Sequence, residues 1–162
     1  MNFGPHELPV AGGMLALGPL PGRGGDLDGD LARLFAWRPD LVVSMTEAPE
    51  MAAADLPGRL AAAGIGWRHF PVADYAVPDA AATAAWPGLA GEIAVRLAAG
   101  GRVFLHCMGG CGRSGMVALA LMVRAGEAPG PALARLRAVR PCAVETPAQA
   151  AWASDQAEAA GG

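Results

Sequence analysis

An apolar strand pattern, a glycine-rich turn and a long apolar run follow one another between residues 102 and 123, and few folds accommodate that order. Arg-Val-Phe-Leu-His (102–106) reads as a short buried strand. Residues 116–123 form an apolar run long enough to continue a buried helix begun at Arg113 or Ser114. Between them stand Cys107, Met108, Gly109, Gly110, Cys111 and Gly112. A loop joining such a strand to such a helix can turn its backbone N–H groups inward onto an anion. Gly109, Gly110 and Gly112 allow the curl. Arg113 adds a planar fork of donors that matches two oxygens of a phosphate. Met108 to Arg113 are therefore the candidate phosphate-binding residues. The field that holds a phosphate dianion also favours a thiolate, so Cys107 is expected to be a nucleophile.

Two other readings of this loop fail on the residues themselves. Lysine-containing phosphate loops need Gly-Lys-Ser/Thr at the helix start, and this chain has no lysine. Zinc has Cys107, Cys111 and His106 nearby, but the sequence offers no second ligand pair, and no metal or other cofactor is expected. The 162 residues suit one catalytic domain over 1–162, with its core over about 14–158. A hydrophobic content of 53% argues against disorder, and a net charge of −3 against general binding to nucleic acid or acidic membranes. The apolar run at 116–123 is too short to span a bilayer. The first residues lack a basic region followed by a hydrophobic core, so a cytoplasmic protein without a secretory signal is expected. Three cysteines, an odd number, argue against a disulfide framework and for a reducing compartment. All twelve basic residues are arginine, and alanine is abundant, a bias of the kind a GC-rich bacterial genome imposes. A monomer is the default expectation.

Along the chain, residues 14–17 read as a first strand, followed by a Gly-Pro-Leu-Pro-Gly turn. Asp28 or Asp30 can cap a short helix that ends at Trp37. Residues 41–45 read as a buried strand. Residues 46–64 read as two short helices, because Pro57 breaks the run. Alternation over 66–72 marks another strand. Residues 79–99 are helical, with a bend or restart near Pro87. The helix after the glycine-rich loop runs to about Ala125, another spans roughly 131–139, and a last one runs from Thr146 or Pro147 to about Glu158, with a frayed Gly161-Gly162 end. Strands alternating with helices predict an α/β fold: a central, mostly parallel sheet of four to five strands covered by helices on both faces. Ligands of such sheets bind outside the carboxyl ends of the strands, where residues 106–113 fall.

His-Cys-x5-Arg-Ser at 106–114 resembles the signature of the protein tyrosine phosphatase superfamily, with Gly110 and Gly112 also in place. The resemblance implies a dual-specificity-phosphatase-like fold and a two-step, metal-free hydrolysis through a phosphocysteine at Cys107. It implies that Ser114 donates to the thiolate and helps the intermediate break down. A serine at a helix start also satisfies a free N–H, and both roles are compatible. His106 is implied to shape the loop and tune the thiolate as a supporting residue, not to transfer a proton. The acid is implied to be a carboxyl on a separate loop. Asp74, in Phe-Pro-Val-Ala-Asp-Tyr-Ala-Val-Pro-Asp (70–79), is similar to the Pro-x-x-Asp acid of dual-specificity phosphatases. Asp79 is the other candidate, although it lies just before an alanine-rich helix, where it reads as an N-cap.

Residues 140–149, Arg-Pro-Cys-Ala-Val-Glu-Thr-Pro-Ala-Gln, resemble the segment after the phosphate loop in phosphatases akin to the cyclin-dependent-kinase-associated phosphatase. There the glutamine lies near the site and positions the hydrolytic water. Gln149 is thus either a water-positioning residue or a solvated first-turn glutamine, and Arg140 reads as a residue that ties loops together. The chain lacks the Trp-Pro-Asp loop of the tyrosine-specific members, and Met108, Gly109 and Cys111 are not the basic residues that phosphoinositide-cleaving relatives favour.

The expected function is a cysteine-dependent phosphomonoester hydrolase acting on phosphotyrosine, and on phosphoserine or phosphothreonine, of proteins. A non-catalytic phosphate reader, a phosphatase of inositol phosphates or nucleotides, and a sulfurtransferase or arsenate reductase are the competing classes. Cys111 and Cys142 read as a loop filler and a packed apolar residue, or else as thiols that capture oxidised Cys107.

Overall fold

A computed structural model describes residues 3–157. Five strands form one sheet in the order β1-β2-β5-β3-β4: β1 (His6–Val10), β2 (Gly13–Gly18), β3 (Leu41–Ser44), β4 (Gly66–His69) and β5 (Arg102–His106). Pairings β2–β5, β5–β3 and β3–β4 are parallel, and only β1–β2 is antiparallel. This is the expected mostly parallel α/β sheet.

The sheet is buried on both faces because its central strands carry apolar side chains in both directions. Val103, Leu105 and Cys107 of β5 and its end join Leu15, Leu17, Leu41 and Val43 in one core. Phe104, between them in sequence, points the other way, with Ala16 and Val42. The first core is covered by α3 (Ala80–Ala98), α4 (Gly112–Arg124), α5 (Pro129–Val139) and α6 (Pro147–Ser154). The second is covered by α1 (Leu27–Trp37), a 3-10 helix over Ala48–Ala54 and α2 (Leu56–Ala62). Nearly every residue of α4 is buried, as its continuous apolar run requires. Among the described residues no helix is long and apolar enough to cross a membrane.

Several boundaries differ from the sequence reading. Strand β1 was not expected. Pro9 removes an amide from it, which an edge strand tolerates, and a two-residue turn with Ala11 at φ +53° and Gly12 at φ +92° folds it back on β2. The cap of α1 is Asp26, not Asp28 or Asp30: its carboxylate accepts from Gly29 N at 3.0 Å. Asp30 is buried and accepts from Gly22 N at 2.8 Å, while Asp28 reaches Arg59 at 3.4 Å. Helix α3 runs through Pro87 as one element, held to the core by Ala82, Trp86, Ala90, Ile93 and Leu97. Packing along that stripe outweighs one missing amide. Strand β4 is shorter than 66–72, although Phe70 and Val72 still donate to Ser44 O and Met45 O and carry the register onward. The helices after the loop begin slightly earlier than expected, at Gly112 and Pro129. The expected last-helix end at Glu158 and the Gly161-Gly162 end lie outside the described residues.

The two cores lie on opposite faces of the sheet, and β5 is its central strand. Truncating Leu105, fully buried in β5, should therefore lower unfolding stability by about 2–5 kcal/mol in urea titrations, the range for large-to-small changes in a packed core. A loss well under 1 kcal/mol would mean that this strand is not the centre of the sheet.

Candidate active site

Strand β5 ends at His106, and the next five residues, 107–111, curl back into α4. The curl depends on glycine at position 110, and the helix that follows it at position 115. Gly110 has φ +74°, and a side chain there would collide with the backbone of Gly18. Gly115 lies so close to the backbone of residues 143–144 that a Cβ would sit 2.5 Å from Val144 N. The loop's carbonyls point outward and are taken: Gly110 O accepts from Arg140 Nε at 3.0 Å, Gly109 O from Arg140 Nη2 at 2.9 Å, and Met108 O from Leu20 N at 3.1 Å. Among the described residues, no carbonyl accepts from the amides of Met108, Gly109, Gly110 or Cys111. Donors without acceptors at the start of a helix are the arrangement that binds an anion.

Cys107 is buried, 3% exposed, and its Sγ lies 3.2 Å from Ser114 Oγ. Arg113 is also buried, yet its guanidinium is fully oriented. Nη1 and Nη2 donate to the two carboxylate oxygens of Glu50 at 2.8 and 2.9 Å, and Nη1 also donates to Val72 O at 3.0 Å. Burial opposes the Arg113 charge, but Glu50, Cys107 and Asp74 outweigh it and raise its affinity for the proton. Conversely, the hydrogen bonds from Arg113 hold the Glu50 carboxyl below the usual carboxylate range. Arg113 Nε is buried and has no partner among the described residues. A buried charged donor in that state is costly unless an acceptor arrives.

Sequence reasoning missed Glu50. It lies in the 3-10 helix, and its second oxygen accepts from Glu47 N at 2.7 Å in a capping box. That capping pattern was the only local signal, and it points to helix start rather than to the site.

His106 is fully buried. Its Nδ1 donates to Cys107 O at 3.0 Å, and its Nε2 accepts from Ser44 Oγ at 2.6 Å. Ser44 Oγ accepts in turn from Trp67 Nε1 at 2.9 Å. One tautomer satisfies the whole chain of bonds. Burial pushes the imidazole down to about 4, so it is neutral at physiological pH and fixes the carbonyl of Cys107.

Asp74 lies on the loop after β4, with Oδ1 3.4 Å from Arg113 Nη2 and a side chain 58% exposed. Asp79 does not join it: its carboxylate accepts from Ala82 N at 2.9 Å and caps α3. Gln149 is fully buried rather than solvated. Its Oε1 accepts from Glu145 N at 3.0 Å and its Nε2 donates to Ala76 O at 3.1 Å, so it ties the start of α6 to the loop that carries Asp74. Arg140 ties loops together as expected, reaching from the carbonyls of Gly109 and Gly110 to His6 Nε2 at 3.1 Å.

The cysteines differ from expectation. Cys111 and Cys142 form a disulfide across 31 residues, and Cys107 is the free thiol. The odd count concealed one bridge plus a free thiol. Cys111 and Cys142 are thus neither filler nor thiols available to capture oxidised Cys107, and Cys111 is not free to ligate zinc.

The family model described as Cyclin-dependent kinase inhibitor 3 (CDKN3) matches residues 41–134. No curated protein sequence matches the chain. Among solved structures, the chain is similar to kinase associated phosphatase bearing a serine at its catalytic cysteine, with a TM-score of 0.82 and 22% identity over 99% of this chain and 97% of that one. It is similar to Tk-PTP in its active form, with a TM-score of 0.70 and 30% identity over 89% of this chain and 91% of that one. PTPMT1 in complex with PI(5)P shares the fold, with a TM-score of 0.73 and 20% identity over 91% of this chain and 92% of that one.

Two outcomes check this geometry. Replacing Cys142 with serine should cost about 2–4 kcal/mol of stability, as expected for removing a bridge over such a loop, and reductant should then have no further effect on the variant. The His106 pKa is lower folded than unfolded, so the unfolded chain takes up the extra proton. Stability should hold above pH 6.5 and fall by roughly 1 kcal/mol per unit from there toward about 4. In urea midpoints measured against pH, His106→Asn should flatten that slope; an unchanged slope would contradict the buried neutral imidazole.

Proposed function

The chain belongs to the cyclin-dependent kinase inhibitor 3 family, in the dual-specificity branch of the protein tyrosine phosphatase superfamily, and from that premise we propose that it is a cysteine-dependent phosphomonoester hydrolase. Its substrates are phosphotyrosine, and phosphoserine or phosphothreonine, of proteins. The observation that carries this reading is the Arg113 guanidinium. Glu50 orients it, its Nε is buried without an acceptor, and it stands beside the free Cys107 and a ring of unpaired amides.

A phosphoryl group entering the loop gives those donors their acceptors. Its equatorial oxygens take the amides of residues 108–113 and Arg113 Nε, which balances charge as the transition state forms. The Cys107 thiolate attacks phosphorus in line, and the phosphorus–oxygen bond to the leaving group breaks. Asp74 gives its proton to the leaving phenolate or alkoxide, then takes one from the water that hydrolyses the phosphocysteine. Ser114 Oγ, 3.2 Å from the sulfur, donates to the departing thiolate in this second step. Gln149 contributes by holding Ala76, and with it the Asp74 loop, against the phosphate loop. Met108, Gly109 and Cys111 add no cation to the loop, so the reading favours a phosphoprotein over a polyanionic lipid headgroup.

Hydrolysis of para-nitrophenyl phosphate in EDTA tests the reading. Wild type should turn over, and Cys107→Ser should not. Asp74→Asn should lose about 10²–10⁴-fold in kcat, the usual worth of a general acid. Asp79→Ala should keep turnover and lose only helix-cap stability of about 1 kcal/mol. A folded wild type with no turnover on this substrate or on phosphopeptides would favour the phosphate-reader alternative.

A further inference from the structure

Four arginines make no ion pair or side-chain hydrogen bond among the described residues: Arg23, Arg38, Arg96 and Arg124. Three of them stand at helix carboxyl ends. Arg96 and Arg124 are in the last turns of α3 and α4, and Arg38 is the C-cap of α1. A cation there is accounted for by the partial negative charge of the helix end. Arg23 has no such place. It is exposed, on the loop between β2 and α1, and it lies against the phosphate loop: a Cβ at Gly109 would sit 2.9 Å from Arg23 Nη1.

The loop that presents Arg23 is pinned on both sides. Leu20 N donates to Met108 O at 3.1 Å, Arg23 N to Leu20 O at 3.1 Å, and Gly22 N to the buried Asp30 carboxylate at 2.8 Å. The guanidinium is therefore held out from a fixed turn, which lowers the ordering cost of using it. Beside it runs a cleft of about 430 Å³. Met108, the residue after the nucleophile, and Glu50, the partner of Arg113, both line this cleft. It thus adjoins the catalytic pocket from the sulfur side and from the arginine side. Leu20, Met51 and Ala54 give it apolar walls, and Arg23 is its free cation.

We propose that Arg23 and this cleft form a substrate subsite for an anionic group flanking the scissile phosphomonoester of a phosphopeptide, with the apolar walls taking the stem of the flanking side chain. The anion is a carboxylate or a second phosphoryl group; a guanidinium pairs with either, and more strongly with the dianion. In a chain of net charge −3, such an acidic substrate needs a local cation of this kind to be accepted. The inference rests on the phosphatase reading for its chemistry, but not for its binding.

The test uses three phosphotyrosine peptides of one sequence, with Asn, Asp or phosphothreonine next to the phosphotyrosine on either side. The readout is the ratio of kcat/KM for each anionic peptide to that for the Asn peptide. In wild type at low salt this ratio should be about threefold to fivefold for Asp and about tenfold for phosphothreonine. In Arg23→Ala it should fall to about one, in Arg23→Lys it should be partly kept, and rising salt should erode it. A general defect of the variant lowers all three peptides together and leaves the ratio alone. The same peptides are titrated into Cys107→Ser and Cys107→Ser/Arg23→Ala by calorimetry, which reads the subsite without turnover. If wild type hydrolyses nothing but this binding ratio depends on Arg23, the phosphatase reading fails and the subsite stands. A wild-type ratio near one, or a ratio that Arg23→Ala leaves unchanged in both measurements, overturns the subsite.

Discussion

A guanidinium buried as deeply as that of Arg113 has to be matched by acceptors on every side, and most of the site is the means of matching it. Glu50 supplies the opposite charge in bidentate form. Val72 O, from the continuation of β4, supplies a neutral acceptor, and the rim carboxylate of Asp74 adds a longer-range one. Two separate segments, the 3-10 helix and the loop after β4, therefore converge on one side chain from α4. The one donor they leave over, Nε, is buried with no partner. Matching all but one of the donors fixes the fork and reserves the remainder for a ligand.

The phosphate loop follows the same logic with the signs reversed. Its outward carbonyls are satisfied by Arg140 and Leu20 N, and Cys111 O accepts from Gly115 N and Val144 N. Its amides are left for the anion. His106 fixes the carbonyl of Cys107 through a bond network that reaches β3 and β4 by way of Ser44 and Trp67. The curl is thus set from behind by the sheet and from outside by Arg140, before any substrate arrives.

The segments legible in the sequence were those whose chemistry is local. Residues 102–123 carry strand, turn and helix signals in one run, and they announced β5, the phosphate loop and α4 together. Asp79 was legible as a cap because a carboxylate before an alanine-rich helix has a local reason to be there. Glu50 was not legible as a site residue, because the 63 residues separating it from Arg113 are bridged only when β3 and β5 pair. Gln149 was ambiguous for the same reason: a first-turn glutamine looks solvated until the Asp74 loop covers it. Strand β1 escaped because Pro9 weakens its pattern, and the edge position that excuses the proline is a property of the sheet. The Cys111–Cys142 bridge escaped because an odd count does not say which cysteine is left over.

That bridge leaves the chain with a single thiol, and the thiol is the proposed nucleophile. Thiol-directed reagents applied without reductant therefore have one address in this molecule. Alkylation stoichiometry becomes a count of intact Cys107 thiols, and protection by an added oxyanion would report occupancy of the loop in the same number. The chain thus carries an internal gauge of its own Cys107, because its other two cysteine sulfurs have been withdrawn from thiol chemistry.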